Sequence, residues 1–167
     1  MAYEMIIDVG SDGERIALLK DKKLVELHQE KNESGNFLVG EIYLGKVKKI
    51  MPGLNAAFVD IGHEKDAFLH YHDLGPYINS LVKITDESLD GKRTNGDLSN
   101  FVLEPETVKT GKINQVLKRN QQLLVQIAKE PISTKGPRLT TEISVAGKYF
   151  LLVPFYDTVN VSKNVST

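Results

Sequence analysis

Residues 45–73, GKVKKIMPGLNAAFVDIGHEKDAFLHYHD, decide the fold. Three β-prone segments follow one another closely, and turn residues separate them. Pro52-Gly53 interrupts the first pair of segments, and the polar run HEKD (63–66) interrupts the second. This order predicts strand, turn, strand, turn, strand, which is typical of a small β-barrel.

The same stretch carries two phenylalanines beside a basic strand. Successive strand residues alternate between faces, so Phe58 points outward if Ala57 and Val59 point into the barrel. Phe68 competes with Leu69 for the interior, and periodicity alone favours a core position for Phe68. The nearby basic residues are Lys46, Lys48 and Lys49. Displayed aromatic rings beside lysines are how small barrels hold single-stranded nucleic acid.

The chain before this stretch also has β character. Residues 3–31 contain three apolar segments separated by Ser-Asp-Gly and by Lys-Asp-Lys-Lys, which predicts a β-meander. An isolated meander buries little surface, so we expect it to pack on another part of the protein. The polar run KNESGN (31–36) predicts a linker.

The chain after this stretch is mixed. Residues 75–110 are polar and rich in turn residues, and we expect a long, partly mobile insertion loop there. KTGKINQVLKRNQ (109–121) predicts one or two turns of helix, and QLLVQIAKE (122–130) predicts a strand that Pro131 ends. RLTTEISVAGKYFLLVPF (138–155) predicts two further strands with Ala146-Gly147 between them.

Composition is that of an ordinary globular protein, with 41% hydrophobic and 26% charged residues in a chain of 167. No apolar run approaches the roughly 20 residues of a membrane span, and no basic-then-apolar leader opens the sequence, so we expect a cytoplasmic protein. Cysteine is absent, which excludes disulfides and cysteine-ligated zinc within these residues. The net charge is −1, so nucleic-acid binding would depend on local basic patches.

One such patch lies between residues 112 and 138, where the sequence has six basic residues and a single acid, Glu130. The basic residues are Lys112, Lys118, Arg119, Lys129, Lys135 and Arg138. In a five-stranded barrel this tract and the lysine strand could form a groove that follows phosphates. A solvated surface is the alternative, and the sequence leaves both open.

Two other classes of function are also compatible with the sequence. His63, His70 and His72 match no zinc spacing and are expected at the surface. Asp8, Asp12 and Asp60 could serve a nucleotide- or metal-binding enzyme, although aspartate beside glycine is also an ordinary turn residue. A structural β-domain that presents its loop to protein partners is the remaining alternative.

Several segments resemble the ribonuclease E/G family of single-strand-specific endoribonucleases. They are IYLGKV, GLNAAFVDIG, AFLH, LLVQIAKE and KGPRLTTEISVAGKY, in this order, from about Gly40 to Leu152. The resemblance implies a mainly β chain in three parts. Residues 1–35 would be part of a ribonuclease-H-like subdomain, residues 36–141 an OB-type RNA-binding barrel, and residues 142–167 the beginning of a five-prime sensor subdomain.

The resemblance also implies roles for individual residues. Phe58 and Phe68 would be the RNA-stacking pair, which overrides the core position that periodicity favours for Phe68. Lys135 would be a third RNA contact, and Lys46 and Lys129 match basic positions of the family. Gly147 and Leu151 would help to form a pocket for a five-prime monophosphate.

The family's catalytic aspartates and its cysteine zinc link have no counterpart in these 167 residues. We therefore expect a fragment that binds single-stranded RNA and does not cut it. The intact enzyme would be a homo-oligomeric endoribonuclease that uses magnesium, with zinc at the oligomer link. No cofactor is expected in the fragment.

Overall fold

The computed structural model describes residues 2–11, 13–31, 37–94, 97–147 and 150–158. The chain divides into two compact units, Met1–Asn36 and Phe37–Thr167, and each is described by itself. No helix in the described ranges is both long and apolar enough to span a bilayer.

The first unit is an antiparallel sheet of three strands in the order β1-β2-β3. The strands are β1 (Tyr3–Gly10), β2 (Gly13–Lys20) and β3 (Lys23–Lys31). Asp21 and Lys22 both have positive φ, 49° and 65°, as the two-residue turn between right-twisted strands requires. The predicted meander is therefore confirmed. Within this unit the apolar residues of β1 and β3 stay exposed, including Met5, Ile7 and Leu27, whereas those of β2 are partly buried.

The second unit contains a closed barrel of five strands in the order β4-β5-β6-β8-β7. The strands are β4 (Ile42–Met51), β5 (Ala56–Asp60), β6 (Ala67–His70), β7 (Gln122–Lys129) and β8 (Arg138–Thr140). All neighbouring strands are antiparallel except β6 and β8. This is the predicted OB-type barrel, and its second and third strands are β5 and β6.

Alternation along the strands fills the barrel. Val47, Val59, Leu69, Val125 and Leu139 are fully buried, one from each strand. Branched aliphatic side chains of this kind fill the narrow interior of a five-stranded barrel without leaving polar groups inside. The alternate positions on each strand point out of the barrel, where their side chains can contact a ligand.

The prediction of an irregular insertion was wrong for residues 78–89, which form helix α1 (Ile78–Leu89). Ile78, Leu81 and Thr85 lie on one face of the helix and are buried. The Thr85 hydroxyl donates to the Leu81 carbonyl at 2.7 Å, so its polar group is satisfied inside the helix. The residues after 86 are mostly polar, so the helical spacing of the few apolar residues before them is difficult to recognise in the sequence.

The remaining elements are short. The predicted helical turn is α2 (Ile113–Val116). After β8, β9 (Val145–Ala146) pairs with β10 (Leu151–Leu152) in a small antiparallel hairpin. The structure therefore has three short strands where the sequence predicted two.

Candidate nucleic-acid interface

One cross-strand row runs over the outside of the barrel. Lys49 on β4 is the register partner of Phe58 on β5, and Phe58 is the partner of Phe68 on β6. Phe68 is in turn the partner of Arg138 on β8, which pairs with Lys129 on β7. Register partners share one face of a sheet, so two rings lie in this row with cationic residues on both sides.

The two rings contact each other across neighbouring strands. The centroids of Phe58 and Phe68 are 5.8 Å apart, with 68° between the ring planes, an edge-to-face arrangement. Both side chains are half-buried, whereas Ala57 and Leu69 are fully buried. The predicted outward orientation of Phe58 is therefore confirmed. The core position that periodicity favoured for Phe68 was wrong, because Leu69 takes the interior.

Two imidazoles extend the line of rings. His70 stacks on Phe68 at 6.4 Å between centroids and 29° between planes, and His72 lies 4.9 Å from His70. The backbone N–H of His72 donates to Nδ1 of His70 at 3.1 Å, so this ring nitrogen acts as an acceptor. The surface position expected for His63, His70 and His72 is correct for His72, which is exposed, while His63 and His70 are partly buried.

A groove of about 770 Å³ opens between the two rings and the β7–β8 loop. This volume is within the range of roughly 300–1,000 Å³ found for small-ligand sites. Its charged lining residues are Lys65, Asp66, Lys129, Glu130, Lys135 and Arg138.

Several of these charges are already compensated. The Arg138 guanidinium donates from Nε and Nη2 to both carboxylate oxygens of Asp73, each at 2.8 Å, and this pairing raises the pKa of Arg138. Asp66 accepts from Lys48 Nζ at 2.7 Å, a bond that raises the pKa of Lys48. Exposed pairs of this kind contribute little to stability, but they reduce the charge offered to a ligand.

The remaining lysines are available for an anion. In the part of the chain that the structure describes, neither Lys129 nor Lys135 has an ion-pair partner. Both are exposed and line the same groove as the rings. The groove thus combines flat apolar surfaces with two exposed lysines and one exposed acid, Glu130, and the two lysines suit an unpaired strand of nucleic acid.

No family model matches the chain, but curated proteins do. The chain is 33% identical over 167 residues to ribonuclease G of Salmonella typhimurium (strain SL1344), covering 100% of the chain and 30% of that protein. Ribonuclease G of Haemophilus influenzae is 34% identical over 166 residues, 99% of the chain and 30% of that protein. The chain is a homologue of the ribonuclease E/G family.

Ribonuclease E relatives match a smaller share. Ribonuclease E of Synechocystis sp. is 38% identical over 134 residues, which are 80% of the chain and 16% of that protein. The chain spans less than a third of the length of each of these curated relatives.

The ribonuclease E/G resemblance also assigned roles to residues that lie outside the groove. Lys46 is exposed on β4, opposite Asp60 in the register, and is not part of the groove lining. Gly147 and Leu151 belong to the β9–β10 hairpin, where the Gly147 N–H donates to the Phe150 carbonyl at 2.8 Å. Their proposed roles stay predictions.

The two described aspartates of the alternative enzyme hypothesis belong to different units. Asp8 lies on β1 in the first unit, Asp60 ends β5 in the second, and Asp12 is outside the described residues. Asp60 lies 3.7 Å from Lys48 Nζ. Over the described ranges, no three Asp, Glu, His or Cys side chains form a group that could hold a metal ion.

Sequence reasoning did not assign His70 to the interface, and it named Lys49 and Arg138 only as members of a possible basic groove. An irregularity in the β4–β5 register falls between Val47 and Lys49, and it makes Lys49 the partner of Phe58. The Lys48 side chain instead forms an ion pair with Asp66. The position of such a bulge carries no clear sequence signal, whereas the parallel pairing of β6 with β8, which brings Arg138 beside Phe68, follows from the barrel topology.

Proposed function

We propose that this chain captures single-stranded RNA for a ribonuclease E/G type endoribonuclease that acts in RNA processing and decay. The binding surface is the barrel face that carries Phe58, Phe68, Lys129 and Lys135. The observation that supports this most strongly is the pair of outward rings, 5.8 Å apart, beside lysines that are free of ion pairs over the described residues.

The chemistry of this surface distinguishes unpaired from paired RNA. A half-buried ring can stack only on a base whose face is open, and both faces of a base inside a duplex are covered by its neighbours. Stacking on one aromatic ring contributes about 1–3 kcal/mol and accepts every base. Lys129 and Lys135 neutralise phosphates without reading sequence, so binding weakens as salt rises.

Other parts of the proposal rest on the family resemblance. Lys46 adds a phosphate contact from β4, and Gly147 with Leu151 belongs to a pocket for a five-prime monophosphate. Residues 1–35 are part of a ribonuclease-H-like subdomain, residues 36–141 are the RNA-binding barrel, and the sensor begins at Glu142.

Cleavage is assigned to residues outside this chain. The intact enzyme is proposed to be a homo-oligomer that uses magnesium, with zinc at the oligomer link. The described residues supply capture and orientation of the strand, and no hydrolytic step is assigned to them.

Equilibrium binding of a fluorescein-labelled oligouridylate with a five-prime hydroxyl tests the capture role. Phe58→Ala and Phe68→Ala should each weaken binding by about 5- to 150-fold, the equivalent of one stacked base. Phe150→Ala is the matched control, because Phe150 is 66% exposed and lies outside the groove.

A duplex of mixed sequence completes the test, and it should bind more weakly than the same RNA as a single strand. Parent-like affinity of both Phe58→Ala and Phe68→Ala for the oligouridylate would refute the capture role.

A further inference from the structure

The β7–β8 loop ends in a tight hairpin at the edge of the groove. The Ile132 N–H donates to the Lys135 carbonyl at 3.2 Å, and the Lys135 N–H donates to the Ile132 carbonyl at 2.9 Å. Ser133, in the turn between them, has a φ of 51°. Two reciprocal hydrogen bonds fix the backbone of Ile132 and Lys135, so both side chains extend from one small, defined unit.

Contacts with the β5–β6 loop hold this hairpin in place. Lys65 Nζ donates to the Ser133 carbonyl at 2.7 Å. Gly136 packs so closely that a Cβ there would lie 2.3 Å from the Asp66 carbonyl oxygen. The Phe68 N–H donates to the Pro137 carbonyl at 2.8 Å, which ties the loop directly to the strand that carries the second ring.

The hairpin places one apolar side chain beside the rings. Three apolar side chains line the groove formed by the described residues: Phe58, Phe68 and Ile132. Ile132 is 70% exposed. Its side chain is β-branched and its backbone is fixed by hydrogen bonds, so the exposed side chain has few conformations. The other residues of the turn, Ser133, Thr134 and Lys135, are polar, so Ile132 is the one apolar side chain that the turn presents.

We infer that Ile132 is a further base-contacting residue, which covers a nucleobase stacked on Phe58 or Phe68 from the side of the hairpin. This inference rests on the proposed function. Ile132 contributes dispersion and apolar burial, and its branched side chain loses little rotamer freedom on binding. Lys135 lies across the same hairpin, so one rigid unit would contact both a base and a phosphate.

The test is the affinity of Ile132→Ala for the labelled oligouridylate. Covering about 40 Å² of apolar surface corresponds to about a fivefold loss of affinity. Ile132→Leu keeps the apolar volume and should bind within about twofold of the parent. Val102→Ala is the matched control, because Val102 is also β-branched, is 73% exposed and lies outside the groove.

An abasic ribose-phosphate oligomer separates base contact from damage to the hairpin. Ile132→Ala should bind this oligomer as the parent does, because only the base contact is lost. Equal weakening for both oligomers, or parent-like binding of the oligouridylate, would overturn the inference.

The same titrations separate this inference from the proposed function. If Phe58→Ala and Phe68→Ala lose affinity while Ile132→Ala does not, the inference fails and RNA capture stands. If the two phenylalanine variants bind as the parent does, RNA capture fails and the inference fails with it.

Discussion

Gly136→Ala should destabilise the barrel, because this glycine lies against the backbone of the neighbouring loop. A Cβ at residue 136 would be 2.3 Å from the Asp66 carbonyl oxygen, 3.0 Å from the Asp66 carbonyl carbon and 3.1 Å from the Lys65 carbonyl oxygen. All three atoms belong to the main chain, so no side chain can rotate away. The two loops must separate by about 1 Å to reach ordinary contact distance.

The magnitude follows from overpacking and from the unfolded state. Forcing a methyl group into a filled site costs about 1–3 kcal/mol. Replacing glycine by alanine also restricts the unfolded chain, which stabilises the protein by about 0.4–1 kcal/mol wherever the native backbone suits alanine. Gly53→Ala isolates this second effect, because no atom lies within 4 Å of a Cβ at residue 53 and its φ is not positive.

Urea unfolding followed by circular dichroism measures the difference. With a slope of about 2 kcal/mol per molar urea, the midpoint of Gly136→Ala should lie about 0.5–1.5 M below that of Gly53→Ala. Affinity for single-stranded RNA should fall in Gly136→Ala, because the hairpin that carries Ile132 and Lys135 is displaced. A midpoint equal to or above that of Gly53→Ala would refute the close packing of the two loops.

Three further predictions concern charge, ionisation and the insertion. Lys135→Met should make the slope of log affinity against log salt less steep by about 0.7, the value for one phosphate contact on a single strand. Lys92 pairs with Asp90 outside the groove, so Lys92→Met should leave the slope unchanged. An unchanged slope for Lys135→Met would show that Lys135 makes no phosphate contact. Burial, then the hydrogen bond to Glu41, raises the pKa of Tyr43 to about 12. The stability linked to Tyr43 is therefore fully present below pH 10 and is lost as pH rises towards 12, so the urea midpoint should fall less between pH 9 and pH 11 in Tyr43→Phe than in the parent; parallel falls would contradict this. Leu81→Ala should cost about 2–5 kcal/mol because Leu81 is buried, while Leu89→Ala, at the exposed end of α1, should stay within about 0.5 kcal/mol of the parent; equal effects would show that α1 does not pack on the barrel.

The barrel could be predicted from local sequence because its strands are short and their turns are explicit. Pro52-Gly53 lies at the predicted break, and Ala57 and Val59 are buried as their alternation requires. The helix α1 could not be predicted in the same way. Its buried face consists of few residues, and the polar segment that follows is longer than the helix. The helical spacing of the apolar residues is therefore weak over this part of the sequence.

The candidate site was only partly accessible to sequence reasoning. Alternation gives the outward direction of Phe58, but it favours the wrong residue of the pair Phe68 and Leu69 for the interior, since adjacent apolar residues can satisfy the barrel in either register. The structure resolves this choice by placing Leu69 inside. The position of Lys49 beside Phe58 depends on a register irregularity, and the exposure of Ile132 depends on a hairpin fixed by a distant loop.

Photo-crosslinking of RNA containing 4-thiouridine, followed by peptide mapping, tests the central claim most directly. The thiocarbonyl reacts with groups that contact the base, so adducts should map to Phe58, Phe68 or the residues next to them. Unlabelled single-stranded RNA should compete for these adducts, and duplex RNA should compete poorly. Adducts confined to other surfaces, with none on β5 or β6, would contradict RNA capture by this face of the barrel.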